Sequence, residues 1–539
     1  MKTIFRSFIC MICLSLWTIS CADFLTEAPR GRLATMYFFN DPGDLDASIN
    51  ALYSVVADAL NGNHQTGIRC LAGDDISTHP ASSKFSLIQH DQFFVTTSNP
   101  WIIYNWEELY RIVKAANFII NHAGKTPAPD TDINYTLAQA HYWRAYAYFH
   151  LVRTYGALPV VLGEEMDFHT PLTPVENIYD LVVADLLIAE GCRISYPNAP
   201  YAGKAVTQAG AKATLAYVYL SMAGWPLNRG TEYYLLAAAK AKEVIDGVEN
   251  GAYQYELLDE YWKVYSMTYN YNNPELLVGV YYNKDTNGHG SPAADLHQDL
   301  ASGAWNDTNG EIKFWKEFPD GPRKEATYVP KYLKTDGSVI DWWEMEYSSV
   351  APFFMKTAES ATRGAEWDYM DPNPVSMTGE KTRQIVRLSE VYCWYAEAVG
   401  RSGQTNAKAI ELLNKVRNRA DGSETNIYPA GMTPDQLAEA AYNEHGWEIA
   451  GYYWGNIAAR WWDMFRMYRA KDHFEFRKLN PMIEVAPGVF RNELVPIPVP
   501  HAPGMPAEDD GVWSDKRMYS VPPIQDIELN PNLKNTLLH

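Results

Sequence analysis

A chain of 539 residues with 47% apolar and 20% charged content has the composition of a globular protein, and it is long enough to bury a large core. Its formal net charge of −20 at pH 7 repels phosphate backbones, which argues against nucleic acid as a partner. Aromatic residues make up 13%, with 17 Trp and 36 Tyr; such rings fill cores, and at surfaces they suit a ligand with apolar faces and many hydroxyls.

The first twenty residues read as a sorting signal. Lys2 and Arg6 precede an apolar run from Phe8 to Ile19, too short to span a bilayer and of the form of a secretory signal peptide. Ser20 then stands before Cys21, an arrangement similar to a lipoprotein signal in which the Cys is acylated, for example with palmitate, and becomes the new first residue. The departure is Thr18, where a Leu is usual; the plainer alternative is ordinary cleavage beside an incidental Cys. Each buried methylene of an acyl chain contributes about 0.8 kcal/mol, so several chains tether a protein without a spanning helix. Of the other cysteines, Cys10 and Cys13 leave with the signal. Cys70, Cys192 and Cys393 are too few and too scattered for a disulfide framework or a zinc pattern.

Beyond a polar lead, Ala22 to Arg32, helical stripes appear. Trp106, Leu109, Val113, Ala116 and Ile120 form one, and Leu137, His141, Ala145, Tyr148 and Val152 the next, with Gly124 to Asp130 breaking the chain between them. Val175, Ile178, Val182, Leu186 and Ala189 pair in the same way with Ala209, Ala213, Ala216 and Leu220 across Pro197 to Gly203. Thr173-Pro174 reads as an N-cap followed by Pro at the first helical position. A further stripe is Tyr234, Ala238, Ala241, Ile245 and Val248. Much later Ile385, Leu388, Tyr392, Tyr395 and Val399 pair with Ile410, Leu413, Val416 and Ala420 across Ser402-Gly403. The small residues at facing positions let helices approach closely, as stacked hairpins of the tetratricopeptide type require.

Residues 250–380 differ. Helical stripes are scarce, Gly, Pro, Asn, Asp and Trp are frequent, and Leu276 to Tyr282 has the look of a short strand. Long loops on a rigid scaffold commonly carry function. After them come a helix opened by Thr433-Pro434, a long aromatic helix through Arg460 to Arg466, and a Pro-rich tail. The expected fold is mainly α: tetratricopeptide-like helical hairpins with an irregular loop-rich insertion. The divisions are a signal peptide at 1–20, a helical-hairpin region at 21–250, a ligand-binding insertion at 251–380 and a C-terminal region at 381–539.

Several segments in order resemble the SusD/RagB family of outer-membrane nutrient-binding lipoproteins. They are Cys21 to Leu25; Trp106 to Asn117 (WEELYRIVKAAN); Arg387 to Ala398 (RLSEVYCWYAEA) with Ala409 to Ala420 (AIELLNKVRNRA); Trp447-Glu448 ahead of Arg460 to Arg466 (RWWDMFR); and Leu494 to Pro498 with Asn530 to Leu533. The resemblance implies tetratricopeptide-like hairpins, an irregular ligand-binding half and a binding protein without catalytic activity. It also implies a TonB-dependent transporter barrel as partner, and an outer-membrane location facing the exterior. Most characterised members bind glycans. Arg417, Arg419 and Asp463 are charges in apolar surroundings and are expected to join helices rather than touch ligand.

No G-x-S-x-G, H-E-x-x-H or Gly-rich phosphate loop is present. Asp74-Asp75 and Glu164-Glu165 are adjacent carboxylates, read as solvated rather than catalytic, and His289 and His297 as surface residues without metal-ligand spacing. No cofactor is expected. The turns Asp285 to Gly288 and Asn306 to Glu311 are rich enough in oxygen for a structural Ca²⁺, though tight turns explain their composition equally.

A sugar site needs flat rings for the C–H face and amides or carboxylates for the hydroxyls. Two regions supply both: Asn99, Trp101 and Tyr104 before the Trp106 helix, and Tyr281, Trp305, Asn306, Trp315, Trp342 and Trp343 in the insertion. Trp305 and Trp342 stand evenly between core and ligand, Trp315 and Trp343 lean to core, and Trp106 and Trp461 follow helical stripes into the core. The functional expectation is a surface oligosaccharide receptor serving a transporter. The alternatives are a receptor for peptide or protein-derived nutrients, and a surface glycosidase, which would release product from a glycan.

Overall fold

The computed structural model describes residues 38–61, 68–164, 167–195, 205–283, 289–290, 307–333, 338–345, 350–356, 378–451, 455–497 and 511–537. The signal segment and Cys21 lie outside the described residues, as do Glu165, Asp285 to Gly288, His297, Trp305 and Asn306.

Among the described residues the chain runs through α1 (Gly43–Ala59), α2 (Phe85–Asp91), α3 (Pro100–His122), α4 (Asp130–Tyr155), α5 (Val175–Ala189), α6 (Gln208–Ala223) and α7 (Thr231–Glu249). The insertion contributes two short helices, α8 (Ile312–Glu317) and α9 (Pro322–Thr327). Then come α10 (Leu388–Arg401), α11 (Ala407–Asp421), α12 (Pro434–Ile449), α13 (Arg460–Arg466), α14 (Ala470–Leu479) and α15 (Ile524–Leu529). Described strands are two to five residues long and pair in twos, antiparallel.

The stripes become the packed faces. α3 lies against α4, α4 against α5, α5 against α6 and α6 against α7. α5 packs more extensively on α4 than on α6, so the repeat is a continuous stack rather than isolated pairs. α10 begins 139 positions beyond the end of α7, yet it docks on α7 and also packs on α11 and α12. The insertion is therefore looped out from one continuing helical layer. Small residues act as expected where helices meet: Ala209, Ala213 and Ala216 are fully buried in α6. A Cβ on Gly400 of α10 would stand 2.6 Å from the backbone of Pro434 and Ala438, so α12 packs on α10 at a distance only Gly allows.

Three local expectations need correction. Thr173 does not cap α5: the helix begins at Val175, and Thr173 pairs with Leu158 in a two-residue antiparallel bridge, so its backbone is committed elsewhere. Thr433 does cap α12, with Gln436 returning the bond to the Thr433 N–H at 2.9 Å, a reciprocal capping box with Pro434 following. The aromatic helix through Arg460–Arg466 is short, seven residues, because the chain turns into the left-handed region at Tyr468. Finally, Asp74 and Asp75 are not free surface carboxylates, although Asp74 is only half-buried. Asp74 receives both Nε and Nη2 of Arg460 at 2.6 and 2.9 Å, and Asp75 is buried, accepting from the Gly451 N–H at 2.6 Å.

The main core runs through the helical layers, and a second, smaller one lies under the insertion around Tyr261, Ile312, Val329, Trp342 and Phe353. Buried ions join the two halves. Arg387, at the start of α10, donates to Glu275 at 2.8 Å and Glu448 at 2.9 Å. Arg419 of α11 reaches the same two carboxylates, and Arg323 of α9 binds Glu444 at 2.6 Å and Glu448 at 3.1 Å. A second set links Asp463 to His445 at 2.5 Å and to Arg466 at 2.8 Å, with Arg466 reaching Glu397 at 2.6 Å. Arg417, Arg419 and Asp463 thus join elements, as expected: Arg417 holds Asp421 of its own helix at 2.6 Å and reaches Glu444 of α12 at 3.7 Å.

Candidate functional site

α1 buries Leu45, Ile49, Leu52 and Val56, which leaves Asn50, Tyr53 and Ser54 on a neighbouring face. The five-residue strand Leu276–Val280 is buried on both sides and pairs antiparallel with Arg383–Arg387. Its continuation carries Tyr281, Tyr282 and Asn283 out beside that face of α1. Between them opens a cleft of about 320 Å³ lined by Asn50, Tyr53, Ser54, Tyr271, Tyr281 and Asn283, with Tyr282 and Ala57 in its wall.

The rings of this cleft are fixed by their own hydroxyls. Tyr271 donates to the Tyr282 carbonyl at 2.7 Å and Tyr282 to the Ala57 carbonyl at 2.8 Å. Tyr53 donates to Gln139 Oε1 at 3.1 Å and accepts from the Val206 N–H at 2.7 Å. Tyr271 and Tyr281 lie nearly parallel, 18° apart with centroids separated by 6.4 Å, and both are half-buried. Burial, reinforced by Tyr255, holds the Tyr281 phenol above its ordinary pKa, so it stays protonated at neutral pH. Asn50, Ser54 and Asn283 are exposed around these rings. The described lining residues carry no formal charge. Oriented ring faces edged by neutral amides and a hydroxyl can cover the C–H side of a pyranose and pair with its hydroxyls.

The other expected site residues part company. Asn99 is not a surface amide: it is 2% exposed and caps α3, accepting from the Trp101 N–H at 2.9 Å while donating to Ser86 O and Gln89 Oε1, each at 2.8 Å. Trp101 is half-buried, its indole N–H bound to Ser86 Oγ at 3.0 Å and its ring 6.0 Å from the exposed Tyr104. That pair is separate from the cleft lining. Trp342 is 1% exposed and belongs to the second core, which overturns its reading as a ligand ring. Trp315 stands edge-on to it at 5.2 Å, and Trp343 packs at 5.5 Å; both are half-buried against the same core, and the Lys324 ammonium lies 4.4 Å over Trp315. Of the insertion residues proposed from sequence, Tyr281 is the one the described cleft contains. Asn50, Tyr53, Ser54 and Tyr271 went unnoticed, although the period of α1 places the first three on one face.

A larger cleft, about 420 Å³, lies between α8, α12, α13 and α14 and includes Asp74, Lys313, Glu317, Trp447, Arg460 and Arg469. Several of its charges are already spent on one another or nearby: Asp74 on Arg460, Lys313 on Glu317 at 2.8 Å, and Arg469 on Glu439 at 2.6 Å. A neutral ligand there would compete with ion pairs.

The oxygen-rich turn near Glu311 is also engaged by the protein: Asp307 pairs with Lys84 and Glu311 faces Arg477. Among the described residues no group of three or more His, Cys, Asp and Glu side chains is placed to hold a metal. No helix among them is long and apolar enough to cross a membrane.

Two family profiles match this chain. One, described as starch-binding associating with outer membrane, covers residues 23–220, and one described as SusD family covers 367–533. SusD-like protein P2 of Formosa agariphila is 24% identical over 524 residues, covering 91% of this chain and 96% of that protein. A crystal structure with xylogluco-oligosaccharide has TM-score 0.67 at 19% identity, with 91% of this chain and 97% of that one covered. A laminarin-binding SusD-like protein has TM-score 0.64 at 19% identity, with 81% and 93% covered. At these identities the structures share the fold, a stack of helical hairpins with an irregular insertion.

Proposed function

The chain belongs to the SusD/RagB family, and from that premise we propose that it binds an oligosaccharide in the tyrosine cleft and delivers it, unaltered, to a TonB-dependent transporter of the outer membrane. The observation that carries the binding half is the cleft itself: near-parallel Tyr271 and Tyr281 rings, the first anchored through its hydroxyl, edged by exposed Asn50, Ser54 and Asn283. The ligand class is supported by two proteins of the same fold, one with a bound xylogluco-oligosaccharide and one laminarin-binding. The delivery half is supported by family membership, and an acylated Cys21 would tether the body at the outer membrane. Catalysis is not part of the proposal. The carboxylates adjacent in sequence, Asp74 and Asp75, hold Arg460 and the Gly451 amide and are not posed across an open bond-sized gap.

Calorimetry on the mature chain with laminari-, xylogluco-, malto- and manno-oligosaccharides tests the site. One of these is expected to bind, and Tyr281→Ala and Tyr271→Ala are each expected to weaken it about tenfold or more, roughly 1.4 kcal/mol, because each removes a pre-oriented ring face. Binding that is untouched by both substitutions, or binding of a peptide digest and of no saccharide, would overturn the assignment.

A further inference from the structure

A second aromatic surface shares no residue with the tyrosine cleft. The turn between α6 and α7 carries Trp225 and Asn228; the turn between α13 and α14 carries Tyr468; and the C-terminal segment brings Asp515 and Tyr519. Trp225, Asn228, Tyr468 and Asp515, together with Tyr234 and Arg466, edge an open cleft of about 520 Å³, and Tyr519 packs beside Trp225. Trp225 is half-buried, with Tyr519 at 5.3 Å, Tyr468 at 5.9 Å and Phe465 edge-on beneath it at 4.7 Å.

The floor is built rigidly. The Trp225 N–H donates to the Arg466 carbonyl at 2.8 Å, joining the two turns. A Cβ on Gly224 would stand 2.2 Å from that same carbonyl oxygen, so the turns meet at a distance only glycine permits. Arg466 is itself fixed inside by Glu397 and Asp463.

The conformation of Tyr468 points to a use. α13 closes with a Schellman pattern: the Tyr468 N–H donates to Phe465 O at 3.1 Å and the Arg469 N–H to Met464 O at 2.8 Å. The left-handed position of that motif ordinarily belongs to glycine, yet here a tyrosine occupies it at φ 54°. Asn228, on the facing turn, is also left-handed at φ 50°. Strained backbone of this kind concentrates where side chains must be presented to a ligand. The Tyr468 hydroxyl donates to the exposed Asp515 carboxylate, which has acceptor positions beyond the one this bond uses, and the exposed Asn228, its amide donating to Pro226 O at 3.2 Å, lines the same cleft.

We infer that Trp225 and Tyr468, with Asp515 and Asn228 at their edge, form a second carbohydrate-binding site that stacks a pyranose ring. Its ligand class comes from the reading above; its residues do not. The site gives the receptor two footholds on one long glycan, so that a chain held at one is at raised effective concentration for the other.

The test labels the mature chain with 5-fluorotryptophan, assigns Trp225 by Trp225→Phe, and adds laminarihexaose and, separately, a xyloglucan heptasaccharide. The Trp225 resonance is expected to shift saturably with at least one of them, and to do so equally in the Tyr271→Ala/Tyr281→Ala double variant. Tyr468→Gly, which suits the turn and deletes the ring, is expected to weaken that response about tenfold. A stationary Trp225 with both sugars, a shift that disappears in the double variant, or a response indifferent to Tyr468→Gly would each overturn the second site. Failure of the tyrosine cleft would show separately, as unchanged calorimetry in its own variants while Trp225 still responds.

Discussion

Glu448→Gln is expected to be among the most damaging single substitutions in this protein, lowering the unfolding free energy by about 3–5 kcal/mol. Glu448 is fully buried and meets three guanidinium groups: Arg387 at 2.9 Å, Arg323 at 3.1 Å and Arg419. Glu275 and Glu444 are the other buried carboxylates in the cluster, so three fully buried cations face three anions, with Arg417 3.7 Å from Glu444 at the edge. Neutralising Glu448 leaves one positive charge uncompensated where water cannot reach it, and nearly the whole desolvation cost remains. The geometry also explains the pH response. Burial alone would raise the carboxyl, but Arg419, Arg387 and Arg323 outweigh it and hold it at about 2. A depressed carboxylate stabilises above its unfolded value, about 4.3, and that contribution is lost as pH falls from there through about 2. Urea midpoints at pH 7 check the size of the effect. Glu439→Gln, an exposed partner of Arg469, is the comparison and should cost under about 1 kcal/mol. A Glu448→Gln midpoint no lower than that of Glu439→Gln would contradict the account.

His445 gives the second large effect, with the opposite sign in pH. It is fully buried, with Nδ1 2.5 Å from Asp463 and Nε2 3.6 Å from Glu390; the Trp394 indole N–H, 3.2 Å from Nε2, donates to it only when the ring is neutral, so protonation gives up that bond for an Nε2–H facing Glu390. Burial would lower its pKa, but the Asp463 carboxylate outweighs this and Glu390 adds to it, raising the imidazole to about 9. The folded protein therefore favours imidazolium. That contribution is fully present below the unfolded value of about 6.5 and is lost as pH rises through about 9. Across that window the difference corresponds to about 3 kcal/mol, to order of magnitude. The stability of the parent chain should fall between pH 6.5 and 9 and that of His445→Gln should fall less, so the two curves converge at alkaline pH. Parallel curves would show that His445 does not carry the charge.

The helical layers were legible because their apolar residues recur at three and four, and the Ala-rich faces announced close packing before any contact was known. Capping was legible less evenly. Asn99-Pro100 carries the same N-cap signature as Thr433-Pro434, and reading it that way would have removed Asn99 from the ligand candidates. Thr173-Pro174 carries it too, yet Thr173 is drawn into pairing with Leu158, a partner that spacing along the chain does not reveal. Trp342 was misread for a related reason. Its neighbours in the second core come from Tyr261, Val329, Phe353 and the Ile483–Leu494 hairpin, segments with no common period. α1 was missed between the polar lead and the Trp106 stripe, and with it went half the tyrosine cleft, although Leu45, Ile49, Leu52 and Val56 form a regular stripe. Two of its residues, Asn50 and Tyr53, meet Tyr281 across more than 220 positions of sequence, which is why the cleft is a property of the fold and not of any motif.

The most direct measurement is a crystal structure of the mature chain with the tightest-binding saccharide of the calorimetric panel, at a ligand concentration that fills only the strongest site. The account predicts an intact oligosaccharide with a pyranose ring against Tyr271 and Tyr281 and its hydroxyls within reach of Asn50, Ser54 or Asn283. A cleaved sugar, or an intact one seated first in the charged cleft around Asp74 and Arg460 with the tyrosine cleft empty, would contradict it.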